Sequence, residues 1–171
     1  MRNQKRYSTQ TFTKRVDHEG GSHRSAKKGT EAVCSVCGSI YRNNRWTRKG
    51  AGGPHGYSSP GEDLRKMTCP ACKQAAEGIV GGYVLLDGDF VRDHRHELDD
   101  LIRNEERRAQ EDNPLSRIMS RVDVNGSIKI ETTNEHLAQR LGRALEKAYD
   151  GTVTYDFSHE NKVVRVHWHR D

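Results

Sequence analysis

Cys34-Ser35-Val36-Cys37-Gly38 and Cys69-Pro70-Ala71-Cys72-Lys73 hold all four cysteines of the chain, as two pairs with two residues inside each. Two residues between thiolates, with Gly or Pro alongside, allow a tight knuckle whose backbone N–H groups point at the sulfurs while both sulfurs face one ion. Two such knuckles make a tetrahedral four-cysteine site, the closed arrangement that zinc takes in structural positions. Two disulfides, a redox-active dithiol and an iron–sulfur cluster are the competing readings. Zinc is preferred because nothing marks the chain as secreted and no βαβ pattern surrounds either pair. The expectation is one structural Zn2+ on Cys34, Cys37, Cys69 and Cys72, with no open position for water and hence no catalytic role.

The interval from Cys37 to Cys69 is well beyond the ~15–20 residues usual in a zinc ribbon. The excess reads as an inserted Gly-rich loop, and loop closure cost grows only logarithmically with length, so the insertion does not count against the site. Residues 32–82 are expected to form this unit, of ribbon or treble-clef-like kind. Within it, Tyr41-Arg42-Asn43-Asn44-Arg45-Trp46-Thr47-Arg48-Lys49 interleaves aromatics with cations, as loops that touch nucleic acid do. Arg42, Arg45, Arg48 and Lys49 are the candidate RNA contacts, and an ordinary solvated surface is the alternative. Trp46 is expected to cover the metal site, and His55 to be a loop residue.

Upstream, residues 1–31 carry Arg2, Lys5, Arg6, Lys14, Arg15, Arg24, Lys27 and Lys28, with small polar residues filling most of the rest. A segment of this composition cannot bury enough surface to fold alone. It reads as a disordered basic arm that lies along RNA phosphate, or else as a solubilising tail or targeting peptide.

Downstream, residues 83–171 read as α+β in the order strand, helix, hairpin, helix, hairpin. Ile79 to Leu86 is short, apolar and β-prone. Phe90, Val91, His94, Leu98, Leu101 and Ile102 then recur at the three-and-four spacing of one acidic amphipathic helix ending near Asn113-Pro114. Ile118 to Val124 and Ser127 to Thr132 alternate around Asn125-Gly126, the dipeptide suited to a type I′ turn. Thr132 and Glu135 have capping-box spacing for a helix running to Tyr149, which Gly151 is placed to stop. Thr152 to Phe157 and Lys162 to His169 close the pattern. A small antiparallel sheet with two helices on one face follows, related to the split βαβ arrangement. Arg140, Arg143 and Lys147 form a cationic stripe on the last helix, which makes Arg140 and Arg143 further candidate RNA contacts. His167 and His169 flank Trp168 and share a strand face, but no third ligand is evident, so no second metal site is expected. His94 and His96 fall on different helix faces and are not expected to share a metal.

Composition agrees with small folded units and solvated segments: hydrophobic residues are 32% and charged residues 31% of 171. The formal charge of +5 and pI near 9.1 favour a polyanionic partner. No apolar run is long enough to span a membrane and no secretory signal opens the chain, so a cytoplasmic location is expected. No Ser/His/Asp or Cys/His constellation and no phosphate-cradling glycine motif is present, so the chain is not expected to be an enzyme.

The paired knuckles with Cys-Pro-x-Cys second, the acidic helix, and Ile130-Glu131-Thr132-Thr133-Asn134-Glu135-His136-Leu137-Ala138 leading into Arg140-Leu141-Gly142-Arg143 carry a resemblance. Over residues 32 to 170 the chain resembles the zinc-containing N-terminal part of the large-ribosomal-subunit export adaptor, the nonsense-mediated-decay-three family. It is also similar to a small bacterial family of the same pattern associated with low-oxygen response. The resemblance implies ribosomal RNA, the large subunit or the whole ribosome, as partner. Those relatives carry two knuckle sets where this chain has one, and nuclear export is not carried over. The function expected is a non-enzymatic ribosome-associated factor, acting in hibernation or assembly by occluding functional sites. The alternative is a zinc-stabilised protein–protein adaptor or stress transcriptional regulator whose acidic helix is the working surface.

Overall fold

The computed structural model describes residues 31–48, 64–158 and 163–171. Residues 1–30 of the basic arm, Lys49, the Gly-rich insertion with His55, and residues 159–162 lie outside these.

Around the cysteines the strands are three residues long: β1 (Ala32–Cys34), β2 (Ile40–Arg42), β3 (Arg45–Thr47) and β4 (Arg65–Met67). They form a mixed sheet in the order β3-β2-β1-β4, in which β1 and β4 run parallel. The stretch expected to be a contact loop is therefore partly a hairpin. Asn43 and Asn44 take φ of 51° and 61° at its turn, the left-handed region that a type I′ turn needs and that Asn tolerates better than most residues. Helix α1 (Pro70–Glu77) follows directly. Cys69 is its N-cap and accepts from the Cys72 N–H, Pro70 supplies the preset φ of the first turn, and Gly78 ends it at φ 66°.

The remainder contains β5 (Gly82–Asp87), α2 (Asp89–Asp93), α3 (Arg95–Asp112), β6 (Ile118–Val124), β7 (Ser127–Thr132), α4 (Glu135–Tyr149), β8 (Thr152–Phe157) and β9 (Val164–His169). The Asn125-Gly126 turn and both strands of its hairpin lie where the alternation places them, with φ of 51° and 87°. Three features differ from expectation. First, the acidic helix is broken at His94, whose φ of −112° and ψ of 27° leave the helical region while its ring stacks on Phe90 at 4.0 Å.

Second, the cap of α4 is Asn134, which accepts from the Leu137 N–H at 2.9 Å. Thr132 ends β7 instead, its hydroxyl donating to the Gly82 and Asn134 carbonyls. Third, the sheet is mixed and not antiparallel. Its order is β6-β7-β5-β9-β8, with β9 inserted beside β5 and parallel to it.

That insertion follows from side chains. Val164, Val166 and Trp168 of β9 are fully buried and demand a central position, whereas Thr152, Thr154 and Asp156 of β8 are exposed and suit an edge. One core, built on Val84, Leu86, Ile102, Ile128, Leu137, Leu141, Leu145 and Trp168, joins this sheet to α2, α3 and α4. A second, much smaller core of Ala32, Tyr41, Trp46 and Ala71 surrounds the cysteines.

Candidate metal centre

β1 runs into the first knuckle and the N-terminus of α1 supplies the second, so one cysteine pair lies at a strand end and the other at a helix start. Backbone geometry locks each knuckle: Cys34 N–H donates to the Ser39 carbonyl at 2.7 Å, Gly38 N–H to the Cys34 carbonyl at 2.9 Å, and Lys73 N–H to the Cys69 carbonyl at 3.0 Å. The sulfurs also receive N–H groups, Cys69 N–H to Cys34 Sγ at 3.3 Å and Cys72 N–H to Cys69 Sγ at 3.4 Å.

All four Sγ atoms lie within 4.8 Å of one another, and Cys37 Sγ is 3.7 Å from Cys69 Sγ. A disulfide would need ~2.05 Å. The edge of a sulfur tetrahedron around zinc, with bonds of ~2.3 Å, is about 3.8 Å. The cluster therefore has the spacing and donor set for a metal ion, and zinc is the ion they suit. Cys34 and Cys69 are buried while Cys37 and Cys72 are half-buried, which closes the site on its inner side.

The four thiols do not ionise alike. Burial raises Cys37, but the Ser39 hydroxyl and N–H, then Cys34 and Arg117, more than offset it and bring the thiol down to about 6. Cys34 is also lowered, burial being outweighed by N–H groups of Cys69, Cys37 and Val36. Burial and neighbouring sulfurs push Cys72 and Cys69 up. Packed thiolates repel one another until a divalent cation lies among them, and such a cation would draw all four into the thiolate form.

Four thiolates around one divalent ion leave two net negative charges, and the residue facing them is Arg117. Its guanidinium donates to Ser39 Oγ at 3.1 Å and the Pro114 carbonyl at 3.0 Å, and lies 3.7 Å from Cys72 Sγ. Burial would lower its pKa, but Cys37 and the other sulfurs raise it, so it stays charged. Arg117 is not among the sequence candidates. Nothing local marks it, because its partners are 45 and 78 positions away. It also ties the two cores together: Arg117 N–H donates to Thr133 Oγ1, Thr133 N–H to the Arg117 carbonyl, and Gln74 of α1 to the Thr133 carbonyl at 2.6 Å. Leu115 packs against the small core from the same connection.

The candidate RNA contacts are dispersed. Arg45 and Arg48 are exposed. Arg48 lines, with Arg117, Gln110 and Cys37, a cleft of about 250 Å3 beside the first knuckle. Arg42 is engaged by Glu31 at 2.6 Å. Arg140 pairs with Glu105 at 2.7 Å and Asp112 at 3.5 Å, while Arg143 is exposed on α4. Arg2, Lys5, Arg6, Lys14, Arg15, Arg24, Lys27, Lys28 and Lys49 lie outside the described residues. Trp46 is buried on Tyr41 in the small core at a ring distance of 5.3 Å, and Trp168 belongs to the large one. No helix among the described residues is long and apolar enough to cross a membrane.

Set against protein-family models, curated proteins and solved structures, the chain finds no match in any of the three. What stands of the family likeness is the four-cysteine cluster itself.

Proposed function

We propose that the chain is a non-enzymatic, zinc-stabilised factor that binds ribosomal RNA, on the large subunit or the whole ribosome, and blocks functional sites by occupying them under stress. The supporting observation is that the unit carrying the knuckles presents exposed cations: Arg45 at the start of β3, and Arg48 along the cleft beside Cys37. A rigid unit presenting cations at fixed spacing suits a phosphate backbone, and the basic arm would extend the contact. Affinity then comes mainly from counterion release and falls steeply with salt. Arg42 and Arg140 contribute less, because each already faces a carboxylate. The cysteine pairs, the part of the export-adaptor resemblance that stands, are compatible with the same partner.

The adaptor reading has less behind it. Two of the acids on α3 are spent on cations of neighbouring elements, Asp99 on Arg121 at 2.6 Å and Glu105 on Arg140.

The deciding experiment is sedimentation of the tagged protein from growing and oxygen-starved cells on sucrose gradients at low and moderate salt, with and without nuclease. Cosedimentation with large subunits or ribosomes, lost when Arg45 and Arg48 are reversed to Glu and residues 1–30 are deleted, is the expected result. Protein that stays in the light fractions under every condition ends the ribosomal reading.

A further inference from the structure

β5 and β9 bring Asp87 beside two histidines that stand 80 and 82 positions further along the chain. In the parallel register Asp87 stands opposite His169, and Leu85 opposite His167. Alternation does the rest: Leu86, Val166 and Trp168 point into the core, so Asp87, His167 and His169 share the other face. That face carries Tyr83, Lys129 and Arg165, all exposed among the described residues.

His167 Nε2 lies 2.9 Å from one oxygen of the Asp87 carboxylate, and His169 Nδ1 lies 2.6 Å from the other. One donor atom from each of the three residues falls within 4.8 Å of the other two. The second nitrogen of His169 faces the Asp171 carboxylate at 3.3 Å.

We propose that Asp87, His167 and His169 form a second metal site, which takes a divalent first-row transition ion such as zinc through two imidazole nitrogens and a carboxylate. Three arguments support it. The donor set is the borderline nitrogen and oxygen type that these ions prefer, and three protein ligands leave one or more positions open on a sheet face that no described helix covers. Asp171 stands to His169 as an outer carboxylate does in a carboxylate–histidine–metal arrangement, fixing which nitrogen carries the proton and which is left for the ion.

The frame is also rigid, as a preorganised site requires. Trp168, between the two histidines, is fully buried and its indole N–H donates to the Asp150 carbonyl at 2.8 Å. Arg170 N–H donates to the Asp87 carbonyl at 3.1 Å and Phe90 N–H to the Arg170 carbonyl at 3.3 Å. Gly88 takes φ 108°, and a Cβ there would overlap the Arg170 carbonyl. The backbones that carry the ligands are held on both sides.

This centre differs from the cysteine cluster in kind. It is nitrogen and oxygen in place of sulfur, open in place of closed, and no described helix covers its sheet face. An open ion there would accept an anionic oxygen as a further ligand, with Arg165 and Lys129 on the same face to favour its approach.

The test begins with full-length protein purified with its cysteine cluster loaded and dialysed against metal-free buffer. It is titrated with zinc by calorimetry and with cobalt by absorption. A second equivalent should bind to the parent protein, with weak d–d bands and no added thiolate charge-transfer band. It should vanish in Asp87→Asn and in the double variant His167→Gln/His169→Gln, while the first equivalent stays. Circular dichroism of each variant checks its fold. Independently of any variant, ring resonances of His167 and His169 in the unmodified protein should shift on adding zinc, and those of His94, His96 and His136 should not. A single equivalent in the parent protein, a second equivalent that survives both variants, or unmoved His167 and His169 resonances overturns the proposal.

Discussion

The cysteine unit and the five-stranded half of this molecule hold themselves together by different means. Among the described residues, the first has strands of three residues and a core of six buried side chains, two of them cysteines. The second, counted likewise, closes fifteen buried side chains between a sheet and three helices. A core of the second size is self-sufficient, whereas units as small as the first need a staple. Metal binding and folding should therefore be one process in the cysteine unit and unrelated processes in the other half. The two tryptophans divide between them, Trp46 in one core and Trp168 in the other, so each half has its own optical reporter.

The largest effect should come from removing the staple. Cys34→Ser, or a strong chelator, removes metal-binding free energy of about 10–16 kcal/mol of the kind measured for structural zinc at neutral pH. Trp46 emission should shift to that of an exposed indole, while Trp168 keeps its protected emission. A joint loss of both signals would show that the halves are one cooperative unit. Next in size, Trp168→Ala empties the centre of the large core and should cost about 3–5 kcal/mol. Denaturant titration followed by circular dichroism should show an earlier transition, and Trp46 should report an intact metal unit.

Arg117→Ala sharpens the contrast from the junction. Losing a charged donor to Ser39 and to the sulfurs should cost about 1.5–3 kcal/mol and separate the Trp46 and Trp168 transitions further. Arg117→Lys keeps the charge but not the fork, and should restore only part of the coupling.

The smallest effect concerns pH and belongs to the large half alone. Burial would raise the Glu105 carboxyl, but Arg140 at 2.7 Å and Arg108 at 2.8 Å hold it below the ordinary 4.5. A carboxyl lowered by folding adds stability in full above its unfolded value, and that contribution is lost as pH falls through the folded value. Glu105→Gln should therefore cost about 1 kcal/mol at neutral pH and flatten the acid limb below 4.5. Thermal melts of Trp168 between neutral and acid pH would measure both.

Legibility in the sequence follows the range of the interactions. The Cys-x-x-Cys pairs, the Asn125-Gly126 turn and the apolar face of α4 are local patterns, and each stands where its spacing puts it. The Asn43-Asn44 turn is also local, but neighbouring cations and aromatics draw the reading towards a contact loop. Asn134 and not Thr132 caps α4 because β7 claims Thr132 for pairing with Gly82, a choice that only the sheet can make. The break at His94, beside its ring stack on Phe90, leaves the three-and-four spacing intact, so periodicity does not report it. Arg117 facing the sulfurs and Asp87 facing two histidines depend on pairings across the molecule, so no window of sequence contains them. The place of β9 is half legible: Val164, Val166 and Trp168 alternate as a fully committed inner face, and a strand with that pattern belongs in the middle of a sheet.

That central position has a consequence for the order in which the molecule can be built. Asp87 and His167, which meet across β5 and β9, stand 80 positions apart. As the chain emerges during synthesis, the metal unit has all its strands and ligands in hand before β5 is complete. β5 then keeps one bare edge through the making of both long helices and the β6–β7 hairpin, until β9 arrives to cover it. Closing so distant a contact is slow, and an unpaired edge invites foreign strands meanwhile. Nascent chains of increasing length, probed by limited proteolysis, should gain a protected metal unit early and a protected β5 only after residue 169. The cysteine unit is thus the early-folding part of the chain, and β9 is the late strand on which the larger half waits.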